Sequence, residues 1–95
     1  MNMKRKYQRK INKEIREWNK VLKNDTFFQN RFALRQIDRA YGSDNQVWDA
    51  MYLIEIKDSK TGKESFKLIH NYGYRRNLWN FINHFIVDRR NEEGW

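Results

Sequence analysis

Ile11, Ile15, Trp18 and Leu22 recur at i, i+4, i+7 and i+11 within "RKINKEIREWNKVLKND". At about 100° per residue they share one narrow stripe, the pattern of a helix packed on a core. Arg9, Lys13, Arg16, Lys20 and Lys23 fall on the opposite side, and Glu14 and Glu17 flank one edge. Lys–Glu pairs at this spacing contribute only roughly a few tenths of a kcal/mol each. Asn24-Asp25 ends the helix. In "NRFALRQIDRAY" the apolar Phe32 and Leu34 alternate with Ala33 and Arg35, and Ile37 takes the second parity, which predicts a strand. Gly42-Ser43-Asp44-Asn45 is a turn cluster. The strongest strand pattern is "QVWDAMYLIEIKD". Trp48, Ala50, Tyr52, Ile54 and Ile56 form its core face, while Val47, Asp49, Met51, Leu53, Glu55 and Lys57 form the other.

"DSKTGK" predicts a hairpin turn with Gly62 where positive φ is needed. "ESFKLIHNY" is the third strand, with Phe66, Leu68, His70 and Tyr72 on one face. So short a turn makes the second and third strands antiparallel. From about Asn77 to Arg90 a second amphipathic helix carries Leu78, Ile82, Phe85 and Arg89 on one stripe, widened by Trp79, Phe81 and Ile86. The expected architecture is α+β, ordered α-β-β-β-α, with a three-stranded antiparallel sheet and both helices packed on one face. Residues 1–95 read as a single domain, with 1–8 a basic N-terminal arm and 91–95 a C-terminal tail.

Charge sharpens this picture. The net charge is +8, unevenly spread. Residues 1–23 balance at +7, from nine Lys/Arg against Glu14 and Glu17. Residues 24–58 balance at −2, and residues 59–95 at +3. Such a chain is attracted to polyanions: nucleic acid, an acidic protein or an anionic surface. Aromatic residues make up 16% of the chain, too many for a disordered basic tail. Cysteine is absent, so there is no disulfide framework and no thiolate metal site or nucleophile. The basic start has no apolar run behind it, and no stretch is long enough to span a membrane. A cytoplasmic protein without membrane association, monomeric or homodimeric, is expected.

Little here points to catalysis. His70 and His84 are the only histidines, and no pair of ligands has zinc spacing. No metal site or cofactor is expected. Ser43, Ser59 and Ser65 all lie in or beside turns, and no phosphate-cradling glycine loop is present. A metal-free ribonuclease would need only a base or acid such as His70 or Tyr72, with Arg75 and Arg76 for the phosphorane charge. The plainer role of His70 is that of a strand residue.

Two features point to binding. The first helix's cationic stripe, Arg9, Lys13, Arg16, Lys20 and Lys23, could track phosphates. It could equally be a solvated face that confers solubility. Arg75 and Arg76 stand at the start of the last helix, where the dipole disfavours cations and an anion would be welcome. Tyr74, Trp79 and Trp95 are candidate aromatic anchors for bases or a protein partner, and Tyr72 reads as a core-edge aromatic.

The α-β-β-β-α order, with "YRRN" opening the last helix, resembles the double-stranded-RNA-binding domain. There the final helix opens with a lysine cluster on phosphates, a place that Arg75 and Arg76 would occupy. "DSKTGK" lacks that family's Gly-Pro-x-His turn, so the resemblance is one of topology. "REWNKVLKNDTFFQNRFALRQ" with "LWNFINHFIVD" resembles small uncharacterised proteins of phages of Gram-positive bacteria. That resemblance implies a short accessory protein acting on host replication, transcription or defence, as anti-CRISPR proteins of similar size do. Two functions are therefore expected. The first is a non-enzymatic module engaging nucleic acid or a nucleoprotein. The second is a phage-encoded inhibitor that contacts a nucleic-acid-processing host protein or defence nuclease directly.

Overall fold

A computed structural model describes residues 3–24, 30–40 and 51–94. Its elements are α1 (Met3–Asn24), β1 (Phe32–Ala40), β2 (Met51–Asp58), β3 (Glu64–His70) and α2 (Tyr74–Glu92). The strands form one antiparallel sheet in the order β1-β2-β3. This is the expected α-β-β-β-α, α+β architecture. Helix α1 starts at Met3, so most of the stretch read as an N-terminal arm continues the helix. Helix α2 runs from Tyr74 to Glu92, a few residues beyond the apolar periodicity at each end. The expected faces of Val47, Trp48, Asp49 and Ala50, the Gly42–Asn45 turn and the anchor Trp95 lie outside the described residues.

Alternation in β2 sets the core. Tyr52, Ile54 and Ile56 are all buried on one face of the central strand. The register places Leu34 of β1 opposite Ile56, and Ile69 of β3 opposite Tyr52. Onto this face α1 packs Ile11, Ile15 and Leu22, and α2 packs Leu78, Phe81, Ile82, Phe85 and Ile86. Phe85 meets the ring of Phe32 edge-on at 6.0 Å, so α2 reaches across the sheet to β1. Each such aliphatic or aromatic side chain stabilises by roughly 1.5–3 kcal/mol when fully buried.

The third strand departs from the simplest reading of its pattern. Phe66, Leu68 and His70 do share a face, but it is the sheet face turned away from the helices. Phe66 is opposite Glu55, Leu68 opposite Leu53 and His70 opposite Met51. Phe66 and Leu68 stay about half exposed, and the strand's fully buried core contribution is Ile69. Trp79 likewise lies off the buried stripe of α2, 54% exposed. Tyr72, expected at the core edge, is 85% exposed, while Tyr74 packs against the core instead. Gly73, at φ 72°, separates the two and reverses the chain into α2.

Two polar contacts fix the sheet's ends. Asn19 of α1 lies beside the outer edge of β1. Its Nδ2 donates to the Leu34 carbonyl at 2.8 Å, and its Oδ1 accepts the Leu34 N–H at 2.8 Å. The side-chain amide thus substitutes for a neighbouring strand at a sheet edge that would otherwise stay open. At the hairpin, Gly62 N–H donates to the Asp58 carbonyl at 2.8 Å, and Gly62 takes φ 77° as expected. The Asp58 side chain is fully buried beneath this turn. Its carboxylate accepts from Arg31 Nε and Nη2, each at 2.7 Å, from the Lys60 N–H at 2.9 Å and from Thr61 Oγ1 at 2.9 Å.

Burial alone would raise the Asp58 pKa, but hydrogen bonds from Arg31, Thr61 and the Lys60 N–H outweigh it and hold the pKa at about 2. The folded value lies below the ordinary 3.8, so this group's stabilisation is complete above about pH 4 and disappears as pH falls through 2. In urea unfolding, the wild-type chain should lose about 2 kcal/mol between pH 5 and pH 2 from this group. Asp58→Asn should lack that segment of the pH profile and be less stable at pH 7 by roughly 3 kcal/mol, because Arg31 loses its buried partner. Parallel pH profiles for the two proteins would contradict this. Asn19→Ala should cost roughly 1–2 kcal/mol and speed hydrogen exchange of the Leu34 amide ahead of that of Ile54.

Candidate nucleic-acid interface

Arg9, Lys13, Arg16, Lys20 and Lys23 are all exposed. At 3.6 residues per turn they fall within an arc of about 80°, centred about 140° round from the Ile11/Ile15/Leu22 stripe. The helix therefore buries one face and turns its cations outward. None of the five makes an ion pair with a described residue. Lys23 sits in the last turn, where the helix dipole favours a cation.

Several cations elsewhere are engaged. Arg31 pairs with Asp58 and Glu93, Arg35 with Glu55, Lys60 with Glu93, Lys63 with Glu92, and Arg89 with Glu92. These cations hold both Glu92 and Glu93 below the usual carboxylate range, Lys63 acting chiefly on Glu92 and Arg31 on Glu93. Glu55 is buried on the otherwise open sheet face, with Arg35 Nε at 2.8 Å. The acids of the sheet and of α2 thus hold the fold together and leave the α1 stripe uncompensated.

Arg75 and Arg76 part company. Arg75 Nε lies 3.5 Å from Glu14 Oε1 and its guanidinium stands over the Tyr74 ring at 5.7 Å. It ties the start of α2 to the flank of α1, a contact with no local sequence signal because the partners are distant along the chain. Arg76 is exposed and makes no ion pair with a described residue. Glu14 lies about 100° round α1 from Lys13, so the arginine pair adjoins the helix flank rather than extending the stripe. Helix α2 starts with no acidic residue in its first turn and no side-chain cap.

Of the candidate aromatic anchors, Trp79 is exposed and Tyr74 is half-buried against the core. Among the described residues the most exposed aromatic is Tyr72, which sequence patterning placed at the core edge. His70 and His84 are both exposed, and no hydrogen bond joins His84 to Asp88. Among the described residues no group of three or more His, Asp or Glu could hold a metal ion. No described helix is long and apolar enough to cross a membrane.

A concavity borders the stripe on each flank. On one side a groove of about 590 Å³ runs between α1 and β1, lined by Asn12, Arg16, Arg35, Gln36 and Asp38 among others. On the other a shallow pocket of about 200 Å³ is lined by Glu14, Glu17, Trp18 and Val21. No family model, curated protein or solved structure matches the chain.

The Glu14–Arg75 tie is solvent-screened, with the Arg75 side chain 76% exposed. In a Glu14→Gln, Arg75→Ala double-mutant cycle, the coupling energy read by urea unfolding should be under about 0.5 kcal/mol. A coupling above about 1.5 kcal/mol would make this contact a structural clamp.

Proposed function

We propose that this protein is a small, basic, non-enzymatic binding module that engages nucleic acid, either free or within a nucleoprotein complex. The observation that carries this reading is the α1 stripe: five exposed cations on one arc, without a carboxylate partner among the described residues. A face that serves only solubility commonly interleaves both signs at helical spacing. Here Glu14 is drawn away to Arg75 and the remaining acids of the pairs described above belong to the sheet and α2. Arg76, beside the uncapped start of α2, is a further phosphate contact in this reading.

A second reading has its own observation. Tyr72, Trp79 and Val87 are exposed apolar or aromatic side chains of the kind that anchor protein interfaces. They favour an inhibitor that docks on a host nucleic-acid-processing protein, such as a defence nuclease.

Charge reversal separates the two. Lys13→Glu with Lys20→Glu should leave the fold intact, since neither side chain is buried or paired. It should weaken binding to nucleic acid by at least tenfold on every sequence alike, measured by fluorescence anisotropy at fixed salt. Unchanged binding would remove the stripe as the site. Loss of a stoichiometric protein complex on Trp79→Ala, with no affinity for free nucleic acid in the wild type, would favour the second reading.

A further inference from the structure

The sheet has two outer edges, and the described residues treat them differently. Asn19 occupies the outer edge of β1 at Leu34. Along β3 no described residue does the same. We infer that β3 accepts an extended segment of a partner protein as a fourth, antiparallel strand, one with apolar side chains on one parity and a carboxylate on the other. The α1 stripe plays no part in this.

The backbone carries the first step. Asp58 N–H donates to the Lys63 carbonyl at 2.8 Å, so Lys63 turns its backbone groups towards β2. The register then runs unbroken, from Lys57 opposite Glu64 to Met51 opposite His70. Alternation therefore points the N–H and C=O groups of Ser65, Lys67 and Ile69 at β2. Those of Glu64, Phe66, Leu68 and His70 point outward. A straight edge of this kind is a template for a further strand.

The side chains define what fits. An added strand places its residues alternately on the two sheet faces. On the open face they meet Phe66 and Leu68, 48% and 49% exposed. Apolar side chains suit that surface. On the helix face they enter a cleft of about 450 Å³ between β3 and α2. Ser65, Lys67, Asn80 and His84 line it, over the buried ring of Phe81. Lys67 is the one Lys or Arg among these lining residues, and it makes no ion pair with a described residue. A carboxylate directly opposite Lys67 would stand in a non-hydrogen-bonded position, where cross-strand side chains come closest.

A second copy of the chain is the rival occupant, and the same parity argues against it. Only even-numbered residues of β3 offer outward groups. In a two-fold antiparallel pairing, even residues therefore oppose even ones and odd oppose odd. Glu64, the strand's one acid, never comes opposite Lys67. The symmetric register sets Lys67 against its own counterpart, and the neighbouring registers set it against Ser65 or Ile69. A lysine in mid-strand is a known guard against such self-pairing. It does not guard against an acidic strand, which the net charge of +8 also attracts.

The test uses two capped octapeptides, alternating Val-Glu and alternating Val-Lys, with the full chain at about 150 mM salt to screen distant charge. Amide hydrogen exchange followed by NMR reads the site. The Val-Glu peptide should slow exchange of the Phe66 and Leu68 amides at least about tenfold at saturation. The Lys67 and Ile69 amides, already bonded to β2, should change little. The Val-Lys peptide should bind about tenfold more weakly. N-methylation of the valines should abolish the protection, because the residues opposite Phe66 and Leu68 give their own N–H groups to β3. N-methylation of the glutamates should leave it. Lys67→Glu should lower affinity for Val-Glu about fivefold, and Lys20→Glu, an equal charge change on α1, by less than about twofold. Binding without protection of Phe66 and Leu68, protection that survives valine N-methylation, or equal losses in the two variants overturns the inference. So does the absence of binding at about 1 mM peptide. Protection of the same two amides that rises with protein concentration alone identifies a second copy as the occupant and overturns the choice of partner. None of these results bears on nucleic-acid binding.

Discussion

A carboxylate with no exposed surface cannot stay ionised unless its neighbours replace the water it has lost, and Asp58 is in that position at the end of β2. Arg31 supplies two of the replacement hydrogen bonds, and the turn that follows Asp58 supplies the others. This demand reaches well beyond the pair. It pins the entry to β1 against the β2–β3 hairpin, since Ser59 N–H also donates to the Arg31 carbonyl at 2.9 Å. Arg31 then holds Glu93 at the end of α2, and Lys60 of the same turn does so at 3.4 Å. Three segments remote in sequence are thereby gathered at one end of the sheet. A buried ion pair is a poor source of net stability compared with apolar packing. What it contributes here is register: with Phe32 next to Arg31 and opposite Asp58, the Phe32 ring is set where Phe85 of α2 can meet it.

The parts of this arrangement that follow short-range rules are legible in the residues. Alternation marks the core face of β2, the 3.6-residue period marks the buried stripe of α1, and Gly62 marks the hairpin. The cationic arc opposite Ile11, Ile15 and Leu22 is visible for the same reason, since it is a property of one helix. What fails to show depends on partners far along the chain. Nothing near Asn19 announces that its amide will close the edge of β1, and nothing near Glu14 announces Arg75. The third strand misleads more interestingly. Phe66 and Leu68 look like core residues, yet the register turns them to the open face, beside Leu53 and Glu55. Ile69, between Leu68 and His70 in the chain and opposite Tyr52, fills the interior. Alternation gives the period of a strand and not which face a second layer will cover. Tyr72 and Tyr74 exchange their expected roles because Gly73 turns the chain between them.

Charge distribution follows from the same ties. The pairs at the hairpin end use Arg31, Lys60 and Lys63 against Asp58, Glu92 and Glu93, while Arg35 is matched by Glu55 across the sheet. The net charge of +8 is therefore not a diffuse property of the surface. Most of it is left on α1, where Arg9, Lys13, Arg16, Lys20 and Lys23 stand exposed, away from the core. Changing them alters the field of the molecule without altering its core.

The helix starts deepen that asymmetry. Neither α1 nor α2 has an acidic residue in its first turn. The N-terminal turn of a helix carries about half a positive charge from its unpaired N–H groups, so cations there raise the potential further. In α2 the turn holds Arg75 and Arg76, and no side-chain cap accepts from its N–H groups. Glu14 answers part of that field through Arg75, which brings the start of α2 against the flank of α1. Two sources of positive potential, a helix terminus and a cationic arc, thus stand on different faces of α1, with Glu17 and Glu14 between them.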